Sequence, residues 1–475
     1  MKTKSTAEGD FMMSETLSLK EILQNQRKYF RTGVTMDIEW RIHQLKLLKK
    51  TIKKYEDNLF WALEDDLGKS EFEAFTTEIG MVYNELNNAI KHLPKWAENK
   101  SAEGGSIHQY PGKLETHVEP LGLVLIIVPW NYPVQMVFSP LIAALAAGNC
   151  VAIKPSDLAP KTQKIVETII KETFEKDHVR FFVGGKEVGQ ELLKEKFDHI
   201  FFAGSQENGK YVMHAAAEHL TSVTLELGGK NPCIVDESAD IKVAAKRIVW
   251  GKCLNCGQTA VAPDYVMVAR SKMNELIDYM QYYLDEFYPN GVFNNPDYPC
   301  IINAEQIERL AGYLEEGTVL YGGNYDKDKR KMEPTLLAKM DVFDSKVMNE
   351  EIFGPILPII PFDKLGQAIA YIGRHPKPLA LYLFTRDPGV KQLVMENISF
   401  GGGCINDTIF HNNNTNVPLR GVGQSGFGGA IHGKAGFDTF SHTKVILKQS
   451  NEIELPLRYP PHQKKMKIIR TMMTK

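Results

Sequence analysis

The chain contains 475 residues, which is long enough for about three domains of ordinary size. Hydrophobic residues make up 43% of the sequence and charged residues 24%, and the formal net charge is −2. These values exclude a disordered chain and a surface built to coat nucleic acid. The composition therefore favours a globular enzyme that acts on small molecules.

The six cysteines are scattered through apolar and loop segments and do not resemble a disulfide framework. The sequence therefore predicts a reducing, cytoplasmic compartment. Cys253 and Cys256 form a single CxxC pair, and no second pair or nearby histidine pair supplies the other ligands of a structural zinc ion, so we expect no metal. Two ordinary cysteines beside a helix are the favoured interpretation, and a redox pair is the alternative.

The opening residues, 1–15, lack the apolar core of a secretory signal and are expected to form a loose terminus. The longest apolar tract, residues 122–148, is interrupted by Pro129, Pro133 and Pro140. It cannot supply the run of about 20 apolar residues that spans a bilayer. We therefore expect a soluble protein without a transmembrane segment.

The elements predicted first along the chain are helices. Apolar and charged residues recur at helical spacing from about residue 36 to 67, where Gly68 is a stop signal, and again from about 72 to 98. The period then changes, because residues 114–118 alternate between apolar and polar and residues 122–128 are continuously apolar. The sequence thus predicts a half-buried strand followed by a fully buried one.

Beyond residue 128 the pattern strand, loop, helix repeats. Four crossovers connect five predicted strands, which is typical of a doubly wound parallel sheet with helices on both faces. Ligands of such folds bind at the carboxyl ends of the strands, so we expect a nucleotide site there. The five predicted strands have the sequences LVLIIV, CVAIKPS, VRFFVGG, HIFFAGS and SVTLEL.

A second α/β unit is predicted to start near residue 226. Close to the carboxyl end, FDTFSHTKVILKQS is typical of a further strand without a helix of its own. Together with the strand predicted around residues 113–118, it is expected to form a small sheet that projects from the body of the protein.

Two glycine-containing segments are candidates for a phosphate-binding turn. Gly421, Gly423 and Gly426 fit the pattern GxGxxG, but they follow NNNTNVPLR rather than a buried strand, so we interpret them as a mobile glycine loop. Gly204 and Ser205 end a predicted strand, and a helix begins directly after them. This arrangement places backbone N–H groups where a pyrophosphate can bind.

Five motifs together resemble the aldehyde dehydrogenase superfamily in their order and spacing. They are VPWNYP (128–133), KPSDLAP (154–160), LELGGKNP (225–232), GQTAVAPDY (257–265) and EEIFGP (350–355). The later segments GVGQSGFGG, GKAGFDTFSH and RYPP resemble the class 3 branch of this superfamily in particular. The resemblance covers about residues 37–461.

The resemblance implies an α/β aldehyde dehydrogenase-like fold with a doubly wound cofactor domain, a second α/β catalytic domain and a small β oligomerisation sheet. A homodimer is the implied assembly. The predicted division assigns 1–108 and 121–225 to the dinucleotide-binding domain, 226–430 to the catalytic domain, 109–120 and 431–455 to the oligomerisation arm, and 456–475 to a basic tail.

The resemblance also implies a reaction in which a cysteine thiolate attacks an aldehyde, hydride passes to NAD or NADP, and water releases the carboxylate. Asn131 matches the side-chain donor to the oxyanion, and Glu226 matches the general base. We expect its place at the end of a buried strand to raise the pKa of Glu226. The alternatives are a loop residue that caps backbone groups for Asn131 and a paired core carboxylate for Glu226.

Five further positions match contacts that the family makes to the dinucleotide. Lys154 matches the contact to the adenosine ribose, and Ser205 matches the contact to the pyrophosphate. Glu351 matches the carboxylate that holds the nicotinamide ribose, and Phe353 is expected to pack against that ribose and the ring. Asp157 stands where the family often has glutamate, and this difference leaves the choice between NAD and NADP open.

The substrate positions that the resemblance implies are Tyr132, Trp250 and His432. An aromatic wall favours aliphatic or aromatic aldehydes of medium length, since each buried methylene contributes about 0.8 kcal/mol. Leu419 and Arg420 depart from the usual PFGGVG pattern, so the shape of the substrate mouth is not fixed by the resemblance. Arg420 is expected to be a solvated surface residue, with a contact to an anionic substrate tail as the alternative.

Ala260 occupies the position of the family's nucleophilic cysteine. A methyl group cannot form a thiohemiacetal, so the covalent route is closed in this chain. Cys256 lies four residues away, and we do not expect it to replace the nucleophile because attack requires atoms within about 3 to 3.5 Å. Since the other matched residues are retained, we interpret the alanine as engineered.

Two other functions compete with a disarmed hydrolytic enzyme. The first is a naturally inactive relative that binds nucleotide or aldehyde. The second is a coenzyme A-acylating dehydrogenase, although the retained Glu226 favours water as the acyl acceptor.

The final segment, HQKKMKIIRTMMTK, has five basic residues and no acid. We favour a frayed, solvated tail, with weak contact to an anionic membrane surface as the alternative.

Overall fold

A computed structural model of the chain describes residues 17–102 and 109–474. Residues 1–16, 103–108 and Lys475, which belong to the predicted terminus, first domain and tail, lie outside the described residues. The first described elements are α1 (Leu19–Arg31), α2 (Ile38–Lys54), α3 (Glu56–Leu67), α4 (Glu71–Ala74), α5 (Gly80–Trp96), β1 (Lys100–Ala102) and β2 (Lys113–Pro120).

Sequence signals define several ends of these helices. The Asp37 carboxylate accepts a hydrogen bond of 2.6 Å from the Trp40 N–H and caps α2. Gly68, with φ of 65°, ends α3 where the sequence predicts a stop. The helix predicted over residues 36–67 is two helices, because Tyr55 leaves the helical conformation between α2 and α3. A π-helical turn, Phe75–Ile79, joins α4 to α5.

The first large sheet and its crossover helices follow in strict alternation. They are β3 (Leu123–Ile127), α6 (Gln135–Ala147), β4 (Cys150–Lys154), α7 (Pro160–Thr173), β5 (Val179–Phe181), α8 (Lys186–Leu193), β6 (His199–Gly204), α9 (Gln206–Ala217) and β7 (Ser222–Leu227). These strands correspond to the five predicted from the sequence, and each is joined to the next by a helix.

The rest of the chain forms the second large sheet and a carboxyl-terminal segment. The elements of the second sheet region are β8 (Pro232–Val235), α10 (Ile241–Cys253), β9 (Tyr265–Ala269), α11 (Met273–Phe287), α12 (Ala304–Leu314), β10 (Thr318–Tyr321), β11 (Tyr325–Asp326), β12 (Lys331–Met332), β13 (Thr335–Ala338), α13 (Lys346–Asn349), β14 (Ile356–Phe362), α14 (Leu365–Ile372), β15 (Ala380–Phe384), α15 (Pro388–Asn397) and β16 (Gly402–Ile405). The final elements are β17 (Gly426–Phe427), α16 (Gly433–Thr439), β18 (Ser441–Lys448) and α17 (Met466–Met473).

The first sheet has the strand order β17, β7, β6, β3, β4, β5. The strands from β3 to β7 are parallel, and β17 pairs antiparallel with β7. The strand order reverses at β3, which lies between β4 and β6. A crevice at the carboxyl ends of the strands beside such a reversal is the usual ligand position in open α/β sheets.

The second sheet has the order β10, β13, β14, β9, β8, β15, β16, and its strands are parallel except for β10. A separate antiparallel sheet has the order β1, β2, β18. In it β18 pairs with β2 along eight residues, from Ser441 opposite Pro120 to Lys448 opposite Lys113. The predicted small sheet, which joins the strand near residue 113 to the late strand, is thus confirmed.

Alternate residues of β3 belong to different hydrophobic cores. Val124 and Ile126 pack in the core formed with α2, α5 and α6, whereas Leu123 and Leu125 pack in the core formed with α1, α8 and α9. Burial on both faces explains why this strand is continuously apolar in sequence. A third core lies around the second sheet.

Within the described residues no helix is long and apolar enough to cross a membrane. Residues 17–102 and 109–474 also contain no group of three or more His, Cys, Asp or Glu side chains that could hold a metal ion.

Candidate active site

A cavity of about 1150 Å³ lies between the two large sheets. Residues that end or follow strands of the first sheet form one part of its lining, among them Asn131 after β3, Ser205 after β6 and Glu226 on β7. The other part comes from the loop that contains Ala260 and from the segment before β14, which contributes Glu351. The strand ends thus bring residues that are far apart in sequence to one site.

Asn131 is held by a network of buried polar groups. Its side-chain Nδ2 donates to the Gln258 carbonyl at 3.0 Å, and its own carbonyl accepts from Asn255 Nδ2 at 2.8 Å and from Lys69 Nζ at 3.1 Å. Lys69 forms a fully buried ion pair of 2.6 Å with Glu78. The second N–H of the Asn131 amide has no acceptor among residues 17–102 and 109–474 and is available for a ligand.

The loop that carries Ala260 begins with an unusual backbone conformation. Asn255, Cys256 and Gly257 have φ values of 49°, 55° and 73°, so three successive residues are left-handed. Such a conformation costs about 1 to 3 kcal/mol for each non-glycine residue. The Glu73 carboxylate offsets part of this cost, since it accepts from the Asn255 N–H at 2.8 Å. At position 257 a Cβ would lie 2.2 Å from the Gly354 carbonyl oxygen.

Ala260 lies on the cavity wall, and its carbonyl accepts from Asn231 Nδ2 at 2.7 Å. The Cys256 thiol instead lies in the core, where it donates to the Tyr298 hydroxyl at 3.2 Å. Burial raises the pKa of Cys256 far above its ordinary value. Cys253 does line the cavity, but burial raises the pKa of its thiol to about 12. Neither thiol forms a thiolate near neutral pH.

The Glu226 side chain reaches the cavity from the carboxyl end of β7. Burial raises the pKa of its carboxyl to about 8, although a hydrogen bond from the Gly421 N–H opposes this effect. Its Oε1 atom has no hydrogen-bond partner among the described residues. A carboxyl with a free oxygen and a pKa near neutrality can accept a proton from a nearby water.

Glu351 forms the opposite carboxylate of the cavity. Burial raises the pKa of Glu351 to about 8, with a smaller contribution from the nearby Asp264. Its Oε1 accepts from the Gly229 N–H at 3.3 Å, and a Cβ at Gly228 would lie 2.0 Å from its Oε2. The absence of a side chain at Gly228 therefore leaves the space that this carboxylate occupies. Phe353 lies two residues on and also lines the cavity.

Gly204 and Ser205 line the same cavity at the start of α9. The Ser205 hydroxyl accepts from the Asn208 N–H at 3.3 Å and caps the helix. The first N–H groups of a helix lack helical partners and carry partial positive charge. Lys154 and Asp157 do not line this cavity. Lys154 is buried at the end of β4 and donates to the Pro155 carbonyl at 2.6 Å, and Asp157 is exposed.

The three residues predicted to contact substrate all line the cavity. The Tyr132 and Thr259 hydroxyls share a hydrogen bond of 2.6 Å, and the Trp250 ring stacks on Phe410 at 5.1 Å between centroids. His432 is buried, and its Nδ1 donates to the Glu85 carboxylate at 2.6 Å. Arg420 is exposed and does not belong to the lining.

Two buried carboxylates of the site were not predicted from the sequence. Glu73 lines the cavity, and burial raises its pKa to about 7 while Lys69 lowers it. Glu85 orients His432 through Nδ1 and accepts a second hydrogen bond from the Gly433 N–H at 3.2 Å. Glu85 lies on the amphipathic helix α5 and Glu73 on the short helix α4, and a charged residue in either position is ordinarily solvated. The sequence contains no other signal that marks them.

Comparison with known proteins decides the family. The model of the aldehyde dehydrogenase family matches residues 4–446. The chain belongs to the aldehyde dehydrogenase family. It is 45% identical to a 4,4'-diaponeurosporen-aldehyde dehydrogenase of Staphylococcus aureus over 95% of this chain and 98% of that one. It is 43% identical to a dimeric NADP-preferring aldehyde dehydrogenase of Canis lupus familiaris, over 94% and 99% of the two chains.

The solved structures agree with this assignment. The structure described as the substrate-bound state of Staphylococcus aureus AldH has a TM-score of 0.94 and 44% identity, and it covers 96% of this chain and 100% of that one. The predicted α/β aldehyde dehydrogenase fold is therefore confirmed. As an aldehyde dehydrogenase, this chain is an oxidoreductase by family, and class 3 relatives are among the proteins that it matches in sequence.

Proposed function

We propose that this aldehyde dehydrogenase binds an aldehyde and NAD or NADP in the cavity, and that Ala260 stands where the reaction requires a cysteine. The observation that carries the proposal is the meeting of Ala260, Asn131, Glu226 and Glu351 on the walls of one cavity. In the form with a cysteine, the reaction is oxidation of the aldehyde to the carboxylate through a thioester. The chain with alanine binds its ligands without turnover.

The oxyanion that forms on attack at the aldehyde is stabilised by two donors. One is the second N–H of the Asn131 side-chain amide. Lys69 and Asn255 hold the backbone carbonyl of this residue, and the Gln258 carbonyl holds its amide. The other is the backbone N–H of residue 260. Donors that are fixed before the reaction need no reorganisation as charge develops, and each contributes about 3 to 4 kcal/mol in comparable sites.

Glu226 acts as the general base that activates water for hydrolysis of the thioester. Its free Oε1 and its pKa near 8 support this role. Because the carboxylate form accepts the proton, this step becomes faster as the pH rises towards 8. Coenzyme A as the acyl acceptor would require no such base, so Glu226 favours water.

The residues of the cavity fit a nicotinamide dinucleotide. Ser205 and the first turn of α9 bind the pyrophosphate, and Glu351 accepts hydrogen bonds from the nicotinamide ribose while Phe353 packs beside it. Lys154 is the last residue of β4, Asp157 follows it, and both lie outside the cavity. Because β4 pairs with β3, these two residues lie next to the cavity and would contact the adenosine ribose. When bound, the cofactor supplies the acceptor for hydride. NAD and NADP both remain candidates.

The apolar and aromatic lining sets the substrate class. Tyr132, the stacked Trp250 and Phe410, and neighbouring Met and Ile side chains surround the space beside Ala260. An aliphatic or aromatic aldehyde gains about 0.8 kcal/mol for each methylene that it buries there. The ring of His432, fixed by Glu85, adds one polar group to this wall.

The alanine itself favours an engineered origin, because random decay is not expected to spare Asn131, Glu226 and Glu351 together. A naturally inactive binding protein is the second candidate.

The predicted domain division and a homodimer joined through the small sheet complete the proposal. The six free cysteines support a reducing, cytoplasmic location.

Calorimetric titration of the chain with NAD and NADP tests the proposal. We expect one cofactor site per chain for at least one of them, and no formation of reduced nicotinamide when aldehyde is added. Glu351→Gln should weaken binding, whereas Asp363→Asn, a change at an exposed carboxylate, should not. A chain that binds neither NAD nor NADP would contradict the proposal.

Ala260→Cys separates the candidate functions. An enzyme disarmed by the alanine regains aldehyde-dependent reduction of the cofactor, whereas a naturally inactive binder stays inert. The carboxylate should form equally well with and without coenzyme A if water is the acceptor. A product that appears only in the presence of coenzyme A would assign the acylating reaction instead.

A further inference from the structure

The carboxyl-terminal helix α17, Met466–Met473, has no role in the proposed reaction, yet its side chains form a sharply divided pattern. Its apolar side chains lie open to solvent: Met466 is 65% exposed, Ile468 50% and Met473 62%. Exposed apolar side chains are ordinary when isolated, but a contiguous group of them indicates a surface that binds something.

The helix has one apolar and one polar face. Successive residues of an α-helix are rotated by about 100°, so the side chains sort by position. The apolar face carries Met466, Ile468, Ile469, Met472 and Met473. The polar face carries Lys467, Arg470 and Thr471, and Thr474, directly after the helix, continues this face. No apolar residue of the helix falls on the polar face.

The charge of this segment is uniformly positive. Lys464 and Lys465 precede the helix, Lys467 and Arg470 lie on it, and residues 459–474 contain no Asp or Glu. The chain as a whole has a formal net charge of −2, so the positive charge is local. Lys465 Nζ donates to the Pro456 and Tyr459 carbonyls, each at 2.7 Å, and fixes the start of the helix to the preceding turn.

We propose that α17 binds flat on an anionic lipid bilayer, with its Met and Ile face among the acyl chains and its Lys and Arg side chains at the lipid phosphates. A helix with a bare apolar face and a basic polar face matches both layers of such a surface. A nucleic acid would match the charge alone and leave five apolar side chains in water. A second copy of the chain would cover the apolar face without engaging the basic one.

The proposal does not depend on the proposed reaction, since lipid binding requires no turnover. The chain with Ala260 can therefore be used as it is. We expect it to float with vesicles of equal parts phosphatidylcholine and phosphatidylglycerol, and to stay in solution with vesicles of phosphatidylcholine alone. Binding should weaken as salt is raised, because salt screens the attraction to the lipid surface.

Charge removal gives the first quantitative test. Each basic side chain near an anionic surface contributes about 1 kcal/mol, which is about a five-fold change in partitioning. Lys467→Gln with Arg470→Gln should therefore lower the vesicle partition coefficient about 30-fold.

Two double variants that add the same charge distinguish the contribution of the apolar face to vesicle binding from that of the polar face. Ile468→Asp with Met472→Asp adds two acids to the apolar face and should abolish flotation. Thr471→Asp with Thr474→Asp adds the same charge to the polar face and should retain a larger part of the binding. Since all four side chains are exposed, the thermal unfolding midpoint should not change and serves as the check on folding.

Four results would overturn the proposal. They are failure of the unmodified chain to bind anionic vesicles, equal binding to neutral vesicles, and equal loss in the two charge-matched variants. The fourth is a fall in the molar mass of the protein in solution with Ile468→Asp and Met472→Asp, which would identify a second copy of the chain as the occupant of the apolar face.

Discussion

Glu226 shows how the position of a single residue sets its chemistry. The residue ends a buried strand, so its backbone is fixed by β6 on one side and β17 on the other. Its carboxyl has no cationic partner among the described residues, and burial raises its pKa to about 8. The same carboxyl at a solvated site would have a pKa near 4 and would be a weak base.

The raised pKa of Glu226 predicts that the rate of thioester hydrolysis depends on pH. Below about pH 8 the Glu226 carboxyl is mostly protonated and cannot accept a proton, and above it the carboxylate predominates. In the Ala260→Cys protein, steady-state turnover limited by thioester hydrolysis should therefore rise with pH and level off above about 8. The rate of carboxylate formation, measured from about pH 6 to about pH 9.5, tests the prediction. A rate that falls across the range would contradict it.

Removal of the base gives a separate prediction. In the Ala260→Cys background, Glu226→Gln should retain a single burst of reduced nicotinamide, because hydride transfer precedes the water step. Steady-state turnover should fall by about 10² to 10⁴-fold. Stopped-flow absorbance resolves the two phases, and loss of the burst itself would place Glu226 earlier in the reaction.

The sequence predicted Asn131 and Glu226 because each follows or ends a recognisable strand within a specific motif. It did not predict Glu73 and Glu85, since a carboxylate at helical spacing is typical of a solvated face. Their burial results from contacts with Asn255 and His432, which are 182 and 347 residues away in the chain. Contacts of that range are fixed by the tertiary fold rather than by local pattern.

At the scale of elements, one ion pair connects the segments around Asn131, the proposed oxyanion donor. Lys69 lies between α3 and α4, and Glu78 lies in the π-helical turn. Glu78 also accepts from the Val134 N–H at 2.7 Å at the start of α6, while Lys69 donates to the Asn131 carbonyl. The pair thus anchors the loop between β3 and α6 to the amino-terminal helices.

Breaking this pair should be costly. Lys69→Met leaves the Glu78 carboxylate buried without its cation and should lower the free energy of unfolding by about 3 to 5 kcal/mol. Lys327→Met removes the same charge from an exposed pair with Glu308 and should leave the free energy of unfolding almost unchanged, because solvent screens that pair. Urea denaturation of both variants makes the comparison. Equal effects would mean that the buried pair does not hold the loop.

The elements themselves were predicted unevenly. Gly68 marks the end of α3 in the sequence because a left-handed residue favours glycine. The break at Tyr55 has no such mark, since neither glycine nor proline occurs there and the apolar spacing continues across it. The π-helical turn after α4 is a change of hydrogen-bond register, which leaves no trace in composition.

At the scale of the whole molecule, β18 forms one edge of its sheet, where another chain can bind. It is the last strand of its sheet, and Val445 and Leu447 on one of its faces are 62% and 42% exposed. A long apolar edge strand is prone to association unless something covers it. The proposed homodimer, joined along this sheet, would cover that edge.

Val445→Asp should therefore weaken the proposed homodimer. A charge buried in an interface is expected to cost more than about 1 kcal/mol, so the Kd of the proposed dimer should rise at least about five-fold. Val319→Asp, on the edge strand β10 of the second sheet, makes the same substitution away from β18 and should leave the dimer intact. Sedimentation equilibrium measures both. A monomeric unmodified chain would contradict the assignment.

The central claim is that Ala260 occupies the nucleophile position in a cavity shared by cofactor and aldehyde. Aldehyde-dependent formation of reduced nicotinamide by Ala260→Cys tests it most directly, with Thr259→Cys as the control that places a thiol one residue away. We predict turnover at position 260 and none at position 259. No reduction of either cofactor by Ala260→Cys, with any aldehyde of a chain-length series, would contradict the claim.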